Sequence, residues 1–264
     1  MNLQLSANTG FLWTGLPFLD RIRRAAACGF DAVEFHDEAQ SADPAALADV
    51  LAETGLPVVG LNVRMGPTAG CAAIPGAEDD ARRDIDAAAD LAARLDAGAI
   101  HVLAGRTDVP EAAGVYSANL RHALAATDRM VLIEPICRVA MPGYFLHSHA
   151  QAVAVIKDIG HPRLKLMFDW FHVLTEGTGT GTTAENAFAA HVGMIGHAQI
   201  AALPGRTEPE PHGSPDYARL IPVMRAAGYE GAFGCEYRPA GSSVESGLGW
   251  MQVLRDAVLR DAAG

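Results

Sequence analysis

The sequence predicts a (β/α)8 barrel, an α/β fold in which eight parallel strands alternate with eight covering helices. Two observations lead to this prediction. Eight short apolar runs alternate with eight longer stretches of helical periodicity, and the 264 residues leave about 33 residues for each strand and helix pair. Because no linker or change of composition divides the sequence, we expect a single domain over residues 1–264.

Each predicted strand is a short apolar run rich in β-branched residues. The runs lack strict polar alternation, as expected when helices cover the outer face of a parallel sheet. The predicted strands are Leu3–Asn8, Ala32–Phe35, Pro57–Asn62, Ala99–Leu103, Met130–Glu134, Leu164–Asp169, Ile195–Ile200 and Gly231–Glu236.

The predicted helices combine Ala and Leu with charged residues at helical spacing. They are Leu16–Cys28, Pro44–Thr54, Ala77–Leu95, Glu111–Ala126, Ser148–Ile159, Thr183–Val192, Asp216–Ala227 and Gly247–Leu259. Asp43 before Pro44 indicates an N-cap and a first helical residue. Five helices are followed by a glycine that is predicted to adopt a left-handed C-terminal conformation: Gly29, Gly55, Gly98, Gly160 and Gly228. The longer loops are expected at Arg64–Gly76, Ile136–Phe145 and Ala201–Pro215.

The composition argues against several functional classes. The 20 Lys and Arg residues against 31 Asp and Glu give a net charge of −11, and a phosphate backbone is bound by clustered basic residues. We therefore expect no nucleic-acid partner. The sequence has neither an apolar run of about 20 residues nor a basic start followed by an apolar stretch, so we expect no membrane partner and a cytoplasmic protein. Its four scattered cysteines form no Cys-x-x-Cys pair, which agrees with reduced thiols in the cytosol.

Polar residues end almost every predicted strand, and the carboxyl ends of the strands form the active site of such barrels. The first four strands end in Asn8, in Glu34 to His36, in Asn62, and in His101 or Gly105; the last four end in Glu134, Asp169, Gln199 and Glu236. Three carboxylates meeting at one point would repel one another unless a cation bound them. Oxygen ligands favour Mg²⁺ or Mn²⁺ over Zn²⁺. The last four residues therefore predict a metal site, against the alternative of separate buried polar residues.

Further polar side chains flank the predicted metal site. The candidate substrate-binding residues are His172, Arg206, Arg138 and His101. His172 follows Asp169 by three residues, one loop turn further out, and is placed to touch a substrate or orient a ligand. Arg206, in the loop after the seventh strand, suits bidentate binding of a substrate carboxylate. His197 is expected on the other face of its strand or one layer deeper than Gln199, and the role of His36 stays open.

Seven segments carry a family pattern over nearly the whole chain. They are Ala73-Ile74-Pro75-Gly76, Ile100-His101-Val102-Leu103-Ala104-Gly105, Ile133-Glu134-Pro135-Ile136, Pro142-Gly143-Tyr144-Phe145-Leu146, Phe168-Asp169-Trp170-Phe171-His172, Ile195-Gly196-His197-Ala198-Gln199-Ile200-Ala201 and Cys235-Glu236-Tyr237-Arg238-Pro239. With these segments the chain resembles the hydroxypyruvate isomerase family of the xylose-isomerase-like TIM barrels. That superfamily also includes keto-sugar 3-epimerases and endonuclease IV.

The resemblance implies an aldose–ketose type isomerase of a small sugar acid. It implies a divalent metal bound by the four residues named above, with Gln199 where the epimerases have His. His172 and Arg206 correspond to substrate contacts of the family. The chain departs from the family after the second strand, where His36-Asp37-Glu38 replaces an aromatic Phe-Pro-Tyr run, and in a shorter Arg64–Gly76 loop. Both departures lie at the rim that contacts substrate, so they affect the expected substrate more than the reaction type.

The mechanism expected from these residues is proton transfer between adjacent carbons of a small oxo acid. Glu134 and Glu236 are the expected base and acid, and the substrate is hydroxypyruvate or a 2-oxo-tetronate. A keto-sugar 3-epimerase acting on a neutral ketose and a non-catalytic barrel are the alternatives. The acidic pI near 5.3 and the Gln199 ligand disfavour an abasic-site endonuclease. Outward Ala and Leu faces on the helices make a homo-oligomer possible.

Overall fold

Eight parallel strands close into a barrel in the computed structural model, which describes residues 3–261. The strands follow one another around the barrel in chain order, and β1 pairs with β8 to close it. Their bounds are β1 Leu5–Asn8, β2 Ala32–Phe35, β3 Val58–Asn62, β4 Ala99–His101, β5 Met130–Ile133, β6 Leu164–Asp169, β7 Ile195–Ile200 and β8 Phe233–Cys235. The predicted fold class is confirmed.

The described residues form ten α-helices outside or above the barrel. Their bounds are α1 Phe18–Ala27, α2 Pro44–Thr54, α3 Glu78–Arg94, α4 Ala112–Ala126, α5 His149–Ile159, α6 Trp170–Glu176, α7 Ala184–His191, α8 Tyr217–Ala226, α9 Val244–Gly247 and α10 Gly249–Asp261. Short 3₁₀ turns lie at Glu38–Ser41 and Val192–Met194. Within the described part of the chain, no helix is long and apolar enough to cross a membrane.

Helix α6 is missing from the sequence prediction, which left the segment after β6 as a loop. The Asp169 side chain caps this helix by accepting a hydrogen bond from the Phe171 backbone N–H at 2.8 Å. Strand β6 therefore ends, and α6 begins, at one residue. Seven residues are too few for a clear helical period, which explains the missed element. His172 consequently lies in the first turn of a helix, not in a loop.

Four of the five predicted glycine caps are correct. Gly29, Gly55, Gly160 and Gly228 have φ values between 66° and 103°. Gly98 is different, because Asp96 adopts the left-handed conformation at the end of α3 with φ 51°. A Cβ at Gly98 would lie 2.9 Å from the Val59 carbonyl oxygen, so this glycine allows close packing against β3. The predicted N-cap is also correct, since the Asp43 side chain accepts from the Ala46 N–H at 2.8 Å.

An apolar layer inside the barrel supports the strand ends. Leu132 and Met167 are buried in one cluster, each two residues before Glu134 and Asp169 respectively. Alternate residues of a strand face the same side, so Glu134 and Asp169 each stand directly above an apolar side chain. The barrel interior thus presents its carboxylates at the mouth and closes beneath them.

A buried histidine pair outside the barrel has a consequence for stability. His149 on α5 is 2% exposed, and its Nε2 lies 3.0 Å from Nδ1 of His191. Burial, reinforced by His191, lowers the pKa of His149 from 6.5 to about 4. The unfolded chain therefore binds this proton near pH 6.5 and the folded protein only near pH 4. The neutral His149 ring therefore makes its full contribution to the free energy of unfolding above pH 6.5. This contribution is lost as the pH falls towards 4.

We expect His149→Gln to reduce the acid sensitivity of the fold. Between pH 7 and pH 5, the variant should lose about 2 kcal/mol less of its free energy of unfolding than the wild type, because it has no ring to protonate. Urea unfolding at the two pH values measures the difference. His212→Gln is the control, since its side chain is 70% exposed and should leave the pH dependence unchanged. Equal pH dependence in wild type and His149→Gln would contradict this expectation.

Candidate active site

A cavity of about 410 Å³ opens at the carboxyl ends of the strands. Six of the eight predicted site residues line it: Glu134, Gln199, Glu236, His172, Arg206 and His101. Asp169 lies behind this lining and contacts it through Arg206. Arg138 is not part of the lining. The volume suits a small metabolite, since ligand pockets of about 300–1,000 Å³ are usual for small molecules.

Three buried carboxylates meet at the mouth of the barrel: those of Glu134, Asp169 and Glu236. Burial, followed by the charges of the other two, raises the pKa of Glu134 well above its usual value. Burial also raises the pKa of Asp169 to about 6, against the opposing effect of Arg206. Burial acts on Glu236 too, but Arg206 and His36 outweigh it and lower the pKa of Glu236 below its usual range. Full ionisation of all three groups at neutral pH requires more positive charge.

Arg206 supplies part of that charge from the loop after β7. Its Nη2 donates to Asp169 Oδ2 at 2.7 Å and to Glu236 Oε1 at 2.8 Å, and its Nε donates to the Glu236 backbone oxygen at 3.2 Å. Its Cζ lies 4.7 Å from the ring centre of Phe11 and 5.0 Å from that of Phe171. Its φ of 52° is uncommon for a residue other than glycine and requires support from its surroundings. Arg206 is therefore a buried, fixed part of the site.

A divalent metal fits the donor atoms of this site. The Glu134 and Asp169 carboxylates lie close together, each with an oxygen within 4.8 Å of the other and of a ring nitrogen of His172. Two buried oxygens, Glu134 Oε1 and Gln199 Oε1, have no hydrogen-bond partner among the described residues. A buried acceptor without a donor is costly, and a cation at this point would satisfy both oxygens. The cluster is compatible with a divalent metal site.

Glu34 fixes the orientation of the Gln199 amide. Gln199 Nε2 donates to Glu34 Oε1 at 2.9 Å and also to Glu236 Oε2. Asn8 Nδ2 donates to the same Glu34 oxygen at 3.0 Å. Because both amide N–H bonds of Gln199 are used, its carbonyl oxygen is the atom left for a ligand. The sequence marked Glu34 only as a polar strand end and gave it no role.

His197 completes the polar layer below Gln199. Its Nε2 lies 2.6 Å from Glu34 Oε2. Gly234 on β8 leaves space for this pair, since a Cβ there would lie 2.6 Å from both atoms. His197 therefore occupies the deeper of its two expected positions.

The hydrogen bonds of His172 show which of its nitrogens carries the proton. Nδ1 accepts from the Cys137 backbone N–H at 3.3 Å and faces the Cys137 thiol at 3.2 Å. Burial, followed by the charge of Arg206, lowers the pKa of His172 well below its usual value, so the ring is neutral with its proton on Nε2. That Nε2 lies 3.5 Å from Asp169 Oδ2 and 3.6 Å from Glu134 Oε1. A protonated Nε2 has no lone pair for a metal, so this arrangement favours His172 as a donor to a substrate oxygen.

His101 presents the opposite hydrogen-bonding character. Its Nδ1 donates to Asn62 Oδ1 at 3.0 Å, which leaves a lone pair on Nε2. Nε2 is buried, has no hydrogen-bond partner among the described residues and lies 3.9 Å from Glu134 Oε2. Burial lowers the pKa of His101 to about 3. His101 therefore offers a neutral acceptor to the cavity, where a substrate hydroxyl could donate.

His36, whose role the sequence left open, lies at the site. Its ring packs on Gly10, where a Cβ would come within 2.2 Å of Nδ1, and edge-on to Phe11 at 5.5 Å between ring centres. Its Nε2 lies 3.9 Å from Glu236 Oε1. Burial alone would lower the pKa of His36, but Glu236 and further nearby glutamates outweigh burial and raise it. The neighbouring glutamates therefore favour the protonated, positively charged form of His36.

Comparison with known proteins identifies the family. Residues 22–254 match the family described as xylose isomerase-like TIM barrel. The chain belongs to this family. The 2-oxo-tetronate isomerase of Cupriavidus necator is 38% identical over 94% of this chain and 97% of its own. The hydroxypyruvate isomerase of Escherichia coli K12 is 36% identical over 96% of this chain and 100% of its own. The predicted family and the predicted isomerase class are confirmed.

Solved structures that share this fold carry different names. A Brucella melitensis structure described as an AP endonuclease of family 2 is 33% identical, with a TM-score of 0.88 over 97% of this chain and 100% of its own. An L-ribulose 3-epimerase is 18% identical, with a TM-score of 0.76 over 100% of this chain and 97% of its own. At that identity the epimerase shows a shared fold alone.

Arg138, a predicted substrate contact, has a different partner in the structure. Its guanidinium lies 2.5 Å from Glu176 Oε1, and its backbone N–H donates to Glu176 Oε2 at 3.0 Å. The side chain is 66% exposed. The pair joins the loop after β5 to the end of α6, and the Arg138 side chain lies outside the cavity lining.

Arg238, which lines the cavity, received no role from the sequence. It stands two residues after Glu236, in the last of the segments that carry the family resemblance. Its place after a strand-end carboxylate was the signal that could have marked it.

Proposed function

We propose that this protein is a metal-dependent isomerase of a small 2-oxo sugar acid. Its substrate would be hydroxypyruvate, giving tartronate semialdehyde, or 2-oxo-tetronate, giving 3-oxo-tetronate. One observation carries the proposal: at the mouth of the barrel, the buried oxygens Glu134 Oε1 and Gln199 Oε1 have no hydrogen-bond donor among the described residues. Relatives at 36% and 38% identity that are named as isomerases of these acids support the substrate class.

Glu134, Asp169, Gln199 and Glu236 would hold the metal. Carboxylate and amide oxygens suit Mg²⁺ or Mn²⁺, which prefer oxygen ligands. When bound, the metal would act as a Lewis acid that stabilises negative charge developing on the substrate oxygens. Glu34 prepares this site by holding the Gln199 amide with its oxygen free.

Glu134 and Glu236 would transfer the proton. One carboxylate takes the proton from the carbon that bears the hydroxyl group. The electron pair of that C–H bond forms a carbon–carbon double bond, and the π pair of the carbonyl moves onto its oxygen. A proton then returns to the former carbonyl carbon, the hydroxyl proton passes to the former carbonyl oxygen, and the old hydroxyl becomes the new carbonyl. His172 would donate its Nε2 proton to a substrate oxygen, and His101 would accept from a hydroxyl. Arg206 would hold the substrate and both carboxylates in the relative positions that proton transfer requires.

A keto-sugar 3-epimerase acting on a neutral ketose is the second candidate, favoured by the fold shared with an L-ribulose 3-epimerase. It would use the same metal and glutamates on a substrate without a carboxylate. We propose no nucleic-acid partner, because three glutamates line the cavity and the net charge is −11. We also propose that the enzyme works in the cytoplasm, where its four free cysteines would stay reduced.

Proton NMR in D₂O tests the proposed reaction. Protein with Mg²⁺ or Mn²⁺ is offered hydroxypyruvate, 2-oxo-tetronate or a neutral ketose, each with a chelated control. We expect isomerisation and deuterium uptake at carbon with an oxo acid only, and only with metal. Uptake with the ketose alone would favour the epimerase. Absence of exchange with every compound would reject both functions.

A further inference from the structure

We infer that Arg238 binds the carboxylate of the substrate. The inference rests on the proposed function and identifies the residue that would select an acid over a neutral sugar. A substrate carboxylate entering this site needs a cation that is not already neutralised, because Glu34, Glu134 and Glu236 line the cavity. The lining contains two arginines and no lysine, and the two arginines differ in what they bind.

Arg206 is already committed to groups of the protein. Its Nη2 donates to Asp169 and Glu236, and its Nε donates to a backbone oxygen. If Arg206 broke these hydrogen bonds to bind a substrate, the negative charges of two buried carboxylates would lose the cation that neutralises them. The Arg206 guanidinium therefore mainly neutralises charges of the protein itself. Its one remaining nitrogen is less able to form a bidentate pair with a substrate carboxylate.

Arg238 has the free guanidinium. Among residues 3–261, its side chain makes no hydrogen bond or ion pair, although its backbone N–H donates to the Arg206 carbonyl at 2.7 Å. The main chain of Arg238 is thus fixed beside Arg206, while its guanidinium stays available. A guanidinium presents two parallel N–H groups that match the two oxygens of a carboxylate.

Phe11 places this guanidinium at the mouth of the cavity. The Cζ of Arg238 lies 5.9 Å from the ring centre of Phe11, and the Cζ of Arg206 lies 4.7 Å from the same ring. Phe11 also lines the cavity. Both arginines therefore lie against one aromatic side chain, with the paired one buried and the free one exposed. An oxo acid would place its hydroxyl and carbonyl oxygens towards the proposed metal site and its carboxylate at Arg238.

Binding of D-glycerate tests the inference without turnover. D-glycerate carries the carboxylate and both hydroxyls of a three-carbon acid but has no carbonyl to isomerise. Calorimetric titration of the Mn²⁺-loaded protein should show binding that Arg238→Gln weakens at least about tenfold and Arg238→Lys weakens less. Arg82→Gln, an exposed arginine on α3, is the control and should bind like the wild type. Equal affinity of wild type and Arg238→Gln, or no binding by either, would overturn the inference.

Kinetics with the oxo acid that the wild type isomerises provide the second measurement. Arg238→Gln should raise KM at least about tenfold and change kcat much less, because the carboxylate contact is made equally in ground and transition states. A loss of kcat at unchanged KM would also overturn the inference. If the wild type isomerises neither oxo acid, the proposed function fails, while the glycerate titration still decides whether Arg238 binds a carboxylate.

Discussion

Glu236→Gln should lower kcat for the oxo acid by about 10²–10⁴-fold at saturating metal, because proton transfer by a positioned carboxylate contributes that much. An amide cannot accept the proton from carbon, although it keeps the shape of the side chain. Steady-state kinetics at several metal concentrations separate lost chemistry from weakened metal binding. Glu230→Gln is the matched control, since Glu230 is exposed in the turn before β8 and should keep full activity.

The stability of the variants distinguishes the two glutamates. Glu236 accepts a hydrogen bond from Arg206 at 2.8 Å, so Glu236→Gln should lower the melting temperature of the metal-free protein. Glu134 is buried among like charges that raise its pKa, and Glu134→Gln should therefore leave that melting temperature unchanged or raise it. Both variants should lose activity. Wild-type turnover by Glu236→Gln would reject Glu236 as a proton carrier.

The sequence predicted the positions of the strand-end side chains better than their contacts. Parallel strands in a barrel place their carboxyl ends together, so Glu134, Asp169, Gln199 and Glu236 were expected to converge from periodicity alone. Their hydrogen bonds depend on residues far away in the chain. Glu34 contacts Gln199 across 165 positions, and no local pattern encodes that pairing.

Loop conformation limited the prediction for the arginines. The sequence places Arg138 in the loop after the fifth strand and Arg206 in the loop after the seventh, and treats both as substrate contacts. The structure buries Arg206 between two phenylalanine rings and pairs Arg138 with Glu176. These differences follow from the path of each loop, which a left-handed residue and tertiary contacts determine. Helix α6 was missed for a related reason, because Asp169 is both a site carboxylate and the cap of a helix too short to show a period.

Metal binding should stabilise the protein, and the stabilisation should grow as the pH rises. Protons and metal compete for the same carboxylates, and the pKa of Asp169 is raised to about 6 and that of Glu134 well above its usual value in the metal-free protein. At pH 5 the metal must displace these protons, whereas at pH 7.5 it displaces fewer. At about 100 times the dissociation constant, bound metal adds about 2.7 kcal/mol, or about 5–10 °C in melting temperature for a chain of this size.

Thermal unfolding after chelation, with and without added Mg²⁺ or Mn²⁺, measures this effect at pH 5 and pH 7.5. The difference between metal-loaded and metal-free melting temperatures is the quantity to compare, because acid titration of His149 affects both forms equally. Asp169→Asn should lose most of the shift, since an amide is a weaker ligand than a carboxylate. Asp158→Asn, an exposed residue of α5, should keep it. A barrel that needs no metal would show the same melting temperature with and without the ions at both pH values, and its buried Glu134 and Gln199 oxygens would then need another partner.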